Sequence, residues 1–161
     1  MPSKAIVFRP MTAEEFGSYL ERAIPEYADM HLRAGNVEPE NSLKRAQKDY
    51  ADLLPQGLAT PRHHLFTVTT ADDGASVGIC WFEIRQRAGR TKAFIYDFCL
   101  DDAYRGKGLG RKFMDELEQR VAALGATALS LHVFGDNLAA RALYEKCGFR
   151  YADMQMIKDL S

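Results

Sequence analysis

A chain of 161 residues with a formal net charge of -1, 47% hydrophobic and 27% charged residues has the size and balance of one ordinary globular domain. That size buries a core without help from disulfides or metal, and the near-neutral charge argues against bulk electrostatic binding of nucleic acid or an anionic membrane. The three cysteines, Cys80, Cys99 and Cys147, are widely spaced among apolar neighbours, which argues against a disulfide framework and fits a reducing cytoplasm.

Met1 to Pro10 has one lysine and no sustained apolar run, so no leader is expected there. Nowhere do about 18 apolar residues follow one another, so no membrane span is expected either. The pair His63-His64 has no further ligands at metal-site spacing and reads as part of a polar loop.

Ala5 to Arg9 predicts a first strand, ended by Pro10. Thr12 with Glu15 three residues on is a capping box, opening a helix from Ala13 with Phe16, Leu20 and Ala23 at helical spacing. Pro25 should kink or end that helix. Helical character resumes through Tyr27, Met30 and Leu32 and stops at Gly35. Glu38 to Leu54 predicts a second helix with Leu43, Ala46, Tyr50 and Leu54 on one face. Pro55, Gly57 and Pro61 mark the loop that follows.

A run of strands comes next. His64 to Thr70, Val77 to Gln86 and Lys92 to Leu100 are separated by turns at Asp72-Asp73-Gly74 and Ala88-Gly89-Arg90. The pattern then alternates. Gly108 to Leu124 is a helix with Phe113, Leu117, Val121 and Leu124 on one face. Leu129 to Phe134 is a strand, and Leu138 to Lys146 a helix closed by Gly148. Phe149 to Lys158 reads as one or two final strands. The order predicts one α/β domain over residues 1–161: a mixed sheet with helices on both faces.

Tyr104-Arg105-Gly106-Lys107-Gly108-Leu109-Gly110 is the most informative stretch. Glycine so close to a helix start costs roughly 1 kcal/mol against alanine. It is useful there if the backbone must take positive φ or pass close to a ligand. The helix N-terminus offers free N–H groups and the positive end of a dipole, and Arg105, Lys107, Arg111 and Lys112 add charge. Together these describe a phosphate cradle. The residues after Gly110 are Arg111-Lys112-Phe113, which fails the Walker A pattern, and the alternate glycines fail the dinucleotide-binding G-x-G-x-x-G fingerprint.

Arg105-x-x-Gly108-x-Gly110 resembles motif A of the GNAT superfamily of acetyltransferases, R/Q-x-x-G-x-G/A. Downstream, Asn137-x-x-Ala140-x-x-x-Tyr144-Glu145-Lys146-x-Gly148-Phe149 resembles motif B of that family. The resemblance covers the chain from Val77 onward. Phe94 to Phe98, Leu131 to Phe134 and Asp52 to Leu58 are similar to a group of largely uncharacterised bacterial members. It implies a single-domain GNAT fold whose mixed central sheet has splayed central strands. An acetyl-CoA-binding core would span 77–158 and a helical acceptor-side segment 12–61. Phe98, Cys99 and Leu100 would offer backbone to the pantetheine arm. Backbone N–H groups from Arg105 through Gly106, Lys107, Gly108 and Leu109 to Gly110, with Arg111 beside them, would hold the pyrophosphate. No metal is implied, and family members are often homodimers.

The implied reaction moves an acetyl group from acetyl-CoA to a primary amine by direct attack in a ternary complex. The amine must lose a proton, an oxyanion must be stabilised and a thiolate must leave. Tyr144, seven residues after Asn137 and so on the same helix face, matches the family's usual general acid. Asn137 matches a CoA contact and also suits an N-cap. Many members carry a base glutamate on the strand before motif A; Tyr96 stands there in this chain. Candidates for the base are therefore Asp97, Glu83 and His132, or a water chain without a dedicated base. Alternation predicts Asp97 and Cys99 on one face of the strand, opposite Tyr96 and Phe98. Cys99 itself reads as a core residue rather than a nucleophile. Two other readings are a non-catalytic GNAT domain that senses acyl-CoA and, weaker, an anion- or nucleic-acid-binding protein using the Arg105 to Lys112 patch. The acceptor class stays open at this level among polyamines, aminoglycosides, amino acids, peptide N-termini and protein lysines.

Overall fold

The computed structural model describes residues 5–161. Residues 1–4, part of the stretch read for a leader, lie outside the described residues. Five strands form one sheet in chain order: β1 (Ile6–Pro10), β2 (His63–Thr70), β3 (Ser76–Arg87), β4 (Arg90–Leu100) and β5 (Ala128–Leu131). The first four pair antiparallel with their neighbours, while β5 runs parallel to β4. Two helices, α1 (Ala13–Arg33) and α2 (Ser42–Leu53), cover one face. There Tyr19, Ala23 and Tyr50 pack with Leu65 and Trp81. The other two, α3 (Leu109–Ala123) and α4 (Leu138–Lys146), cover the opposite face, where Phe113, Met114 and Leu117 meet Val68, Cys80, Phe82 and Ile95 and Tyr144 packs alongside. This is the expected mixed sheet with helices on both faces.

The capping box forms as the sequence predicts. Thr12 Oγ1 accepts from Glu15 N at 3.1 Å, and Glu15 Oε1 accepts from Thr12 N at 2.9 Å. Arg9 clamps the same carboxylate with two bonds of 2.8 Å. Pro25 does not end α1, contrary to expectation: 21 residues run through it. Both Pro25 and Glu21, whose carbonyl loses its intrahelical donor, are exposed, so the missing bond falls on the solvent side of the helix. The buried stripe of Tyr19, Ala23 and Ala28 holds both halves to the sheet.

Three further expectations are corrected. His63 and His64 open β2 rather than lie in a polar loop, and Trp81 Nε1 donates to His63 Nδ1 at 3.0 Å. The strand expected over Leu129 to Phe134 spans only Ala128–Leu131. The final strands expected over Phe149 to Lys158 do not form among the described residues; that segment makes no ladder.

One irregularity shapes β4. Trp81 lies opposite Asp97 and Phe82 opposite Ile95, so Tyr96 is the extra residue of a β-bulge. The bulge turns Tyr96 and Asp97 to the same face. Tyr96 stacks on Trp81 with ring centres 4.4 Å apart, and Asp97 bonds Tyr19 of α1. The simple alternation that set Tyr96 opposite Asp97 is thereby overturned. Asp97 and Phe98 do face opposite ways, Phe98 packing on Phe113 at 4.2 Å. A little further along, Gly78 of β3 is pressed against β4. A Cβ there would stand 2.2 Å from the Cys99 carbonyl oxygen, so only glycine fits.

Candidate active site

The pairing of β4 with β5 stops at Ile95 opposite Leu131. Beyond it, Asp97 to Leu100 stay paired with β3, and no other described strand lies on their far side. The sheet therefore opens into a wedge along the second half of β4, whose outer edge meets no other described strand. Phe98, Cys99 and Leu100 line that edge. Arg105 Nε donates to the Leu100 carbonyl at 3.0 Å and Arg105 Nη1 pairs with Asp102 at 3.1 Å, folding the loop after β4 back on the strand end.

The glycine turn sits at the mouth of the wedge. Gly106 and Gly108 have φ of 72° and 74°, the left-handed region that a side chain disfavours. A Cβ on either would meet nothing within 4 Å, so the turn opens onto free space. Gly108 is the N-cap of α3, with no side chain satisfying the first N–H groups of the helix. Gly110 has a different job: its missing Cβ would lie 3.1 Å from Leu143, so glycine lets α3 and α4 close together. Leu109 is buried in the core. Lys107 extends over the Tyr104 ring at 5.9 Å. Arg111 does not turn to the mouth; it pairs with Asp115 at 3.2 Å and caps the end of α4 through the Lys146 carbonyl at 3.1 Å.

Asp97 is partly buried on the α1 side of the bulge. The Tyr19 hydroxyl, 3% exposed as a residue, donates to Asp97 Oδ2 at 2.7 Å. Burial pushes the Asp97 carboxyl above its ordinary value, against the opposing pull of the Tyr19 bond, the Arg22 charge and the Phe98 N–H. Cys99, on the same face, has its thiol raised by burial and by the Asp97 charge, with Arg105 Nη2 at 3.7 Å. A thiol held protonated in this way is a poor nucleophile.

Glu83 sits in a different setting. Arg85 Nε and the Tyr96 hydroxyl both donate to Glu83 Oε2 at 2.8 Å, and Arg85 Nη2 donates to Tyr96 Oη at 2.6 Å. Burial works to raise the Glu83 carboxyl, but those two bonds and the Arg85 charge outweigh it and hold it low. His132 is exposed just beyond β5, edge-on to Phe134 at 5.0 Å, and Phe134 in turn meets His31 of α1 at 5.1 Å. The structure therefore brings Asp97 to the wedge, locks Glu83 in an ion pair, and leaves His132 on the rim.

Tyr144 of α4 packs edge-on to Phe98 with ring centres 6.3 Å apart and meets Phe149 at 5.6 Å. Burial, reinforced by the charge of Asp97, pushes its phenol well above the ordinary tyrosine range. Asn137 is the N-cap of α4: its Oδ1 accepts from Ala140 N at 3.2 Å. Tyr19 is the site residue that sequence reasoning missed. It lies beside Leu20 on the apolar stripe of α1, and only its partner 78 residues away gives it meaning.

With this geometry in hand, the comparisons with known proteins are specific. The model of the acetyltransferase (GNAT) family matches residues 25–149. YycN of Bacillus subtilis, an uncharacterised N-acetyltransferase, is 40% identical over 155 residues, covering 96% of this chain and 99% of YycN. YdgE of the same organism, also an uncharacterised N-acetyltransferase, is 31% identical over 97% of this chain and 99% of its own. The crystal structure of YycN superposes with a TM-score of 0.92 at 39% identity, covering 98% of this chain and 99% of that one.

Proposed function

The chain belongs to the GNAT acetyltransferase family, and on that premise we propose that it transfers an acetyl group from acetyl-CoA to a primary amine by direct attack in a ternary complex. The observation that carries the reading is the wedge beyond Ile95, followed by the open glycine turn, with Asp97 on the α1 side of β4 and Tyr144 of α4 packed on its neighbour Phe98.

The residues present fit acetyl-CoA. Gly106 and Gly108 open onto free space where a phosphate needs room, and the bare N-terminus of α3 offers N–H donors. The unpaired edge at Phe98 to Leu100 accepts an extended arm as an added strand would. In this reading Arg105 to Gly110 hold the pyrophosphate. Asn137 supports the turn before α4, and Arg111 acts through its cap on α4. Bound acetyl-CoA supplies the activated thioester.

Asp97 takes the proton from the substrate's ammonium group, and the free amine so formed attacks the thioester carbonyl. Its raised carboxyl stands nearer the pH at which an amine must be deprotonated than an exposed aspartate would. Tyr144, kept protonated by burial, donates to the departing sulfur. The Glu83 carboxylate, already bonded to Arg85 and Tyr96, holds the bulge rather than moving protons. His132 lies on the path of the acceptor, beside His31 and Phe134. Residues 12–61 would form the acceptor side and 77–158 the acetyl-CoA core. A cytoplasmic location suits both the co-substrate and the free thiols of Cys80, Cys99 and Cys147.

The second reading, a domain that senses acyl-CoA without turnover, rests on Tyr96 in place of the family's glutamate. One experiment separates the two: thermal unfolding with and without acetyl-CoA, followed by thiol release with a panel of amines. Ligand at about 100 times its dissociation constant adds roughly 2.7 kcal/mol to stability. Stabilisation with turnover is expected. Stabilisation without turnover on any amine selects the sensor, and no stabilisation of a folded sample overturns both.

A further inference from the structure

The end of the sheet away from the glycine turn gathers positive charge on one face. Glu83, Arg85 and Arg87 of β3 alternate onto the face that carries Trp81. Arg85 lies directly opposite Lys92 of β4, and Arg87 opposite Arg90. Like charges placed opposite one another destabilise a sheet. Arg62, just before β2, adds to them: Arg62, Glu83, Arg85, Gln86 and Arg87 line one cleft. Glu83 is the carboxylate of that cleft, and Arg85 and Tyr96 already hold it. Among the described residues, Arg62, Arg87, Arg90 and Lys92 pair with no carboxylate. The cleft is therefore short of negative charge.

Two of its cations are fixed in place. Arg85 donates through Nε to Glu83 and through Nη2 to Tyr96, and its guanidinium lies over the Phe94 ring at 4.2 Å. Its Nη1 has no partner among the described residues. Arg62 has φ of 69°, a left-handed conformation that a side chain disfavours, and Ile84 N holds it there by donating to its carbonyl at 2.9 Å. Burial pushes the His63 imidazole down, and the charges of Arg62 and Arg85 both add to that effect against the pull of Glu83. Both guanidinium groups thus act on the same side of the sheet.

This cleft shares a face with Asp97. Asp97 lies opposite Trp81, four residues before Arg85 on β3, so about 13 Å of strand separates the two. Phe94 and Tyr96, edge-on with ring centres 4.8 Å apart, floor the interval. Ser130, opposite Phe94 on β5, is exposed, so the helices leave this part of the face open.

We propose that the cleft holds an anionic group of the acceptor, so that the amine acetylated at the wedge belongs to a molecule with a carboxylate or phosphate on the order of 10 Å away. The assignment rests on the acetyl-transfer reading, in which Asp97 meets the amine. It selects against polyamines, whose second ammonium this end of the sheet repels.

Thiol release from acetyl-CoA is measured with primary amines of matched length that end in a carboxylate, a phosphate, a neutral amide or a second amine. The anionic ends should give kcat/KM about tenfold or more above the neutral one, through KM, and the advantage should shrink in high salt. The lower KM of the two anionic series identifies the group. Arg62→Gln combined with Arg87→Gln, both at exposed sites, should remove the preference while kcat on the neutral amine, the circular dichroism spectrum and the stabilisation by acetyl-CoA stay as they are. Calorimetric titration with the same amines reads the cleft without turnover. If no amine is acetylated, yet the native chain binds the anionic series and the double variant does not, the transfer reading fails and the anion site stands. Equal kcat/KM for anionic, neutral and cationic ends overturns the assignment. So does an anion preference that the double variant keeps, or a native chain that binds no anionic amine.

Discussion

Replacing Tyr19 by phenylalanine removes one oxygen from a residue that is 3% exposed and leaves its packing volume almost unchanged. What disappears is the 2.7 Å bond to Asp97 Oδ2. That bond favours the charged carboxylate, and burial works against it. A hydrogen bond to a charged group contributes about 1.5–3 kcal/mol. Its loss therefore lowers the carboxylate population, at a pH on the acid limb of the rate profile, by roughly ten- to hundredfold. The sign follows from the proposed base role. Asp97 must be ionised to accept a proton, so losing a donor moves the acid limb to higher pH, and the variant recovers as pH rises. The assay is kcat/KM against pH for the native chain, Tyr19→Phe and Asp97→Asn, with acetyl-CoA stabilisation measured in parallel. Asp97→Asn should lose the limb altogether and about 10²-fold or more in kcat. A Tyr19→Phe protein whose loss is the same at every pH would refute the reasoning, since a purely structural defect does not titrate with Asp97.

The other perturbations act on separate parts of the molecule. Tyr144→Phe should lower kcat by about 10²-fold through loss of the acid while leaving the stabilisation by acetyl-CoA intact, as thiol release and thermal unfolding together will read. Gly108→Ala meets no neighbour but must adopt φ of 74°, at a cost of about 1–2 kcal/mol. It should lower Tm by ~2–8 °C and also shrink the shift that acetyl-CoA produces. Glu15→Gln keeps the reach back to Thr12 but loses the Arg9 pair. The native carboxyl is held down to about 2, so its stabilisation is complete above its unfolded value of 4.5 and fades as pH falls toward 2. With Glu15 near the surface, the variant should be less stable by about 0.5–1 kcal/mol at pH 7, and the gap should close in acid.

The features that were legible in the sequence are those made by near neighbours in the chain. The capping box, the positive-φ glycines and the Asn137 cap each depend on residues within a turn of one another, so residue type alone locates them. The motif pair placed the wedge because its two halves bracket β5. The parts that were not legible depend on partners far along the chain. The bulge at Tyr96 exists only in the register of β4 on β3, and alternation within β4 cannot reveal which residue is extra. Tyr19 reads as one more apolar position until Asp97 is brought to it. Pro25 reads as a stop because the exposure of Glu21, which makes the lost bond harmless, is a property of the folded molecule.

The bulge also bears on the base role proposed for Asp97. Glu83 and Asp97 start with the same handicap, since burial opposes the charge of both. They part company through their partners. By stepping out of register, Tyr96 brings its hydroxyl to Glu83 and Arg85, and the three groups satisfy one another. The same step swings Asp97 to the α1 side, where a neutral phenol is its hydrogen-bond donor and the nearby Arg22 does not cancel the effect of burial. One carboxylate is therefore held ionised in a bonded triangle, and the other is left with a raised carboxyl at the edge of the wedge. Two acids driven in opposite directions from the same strand pair are what a division between a structural and a proton-accepting role requires.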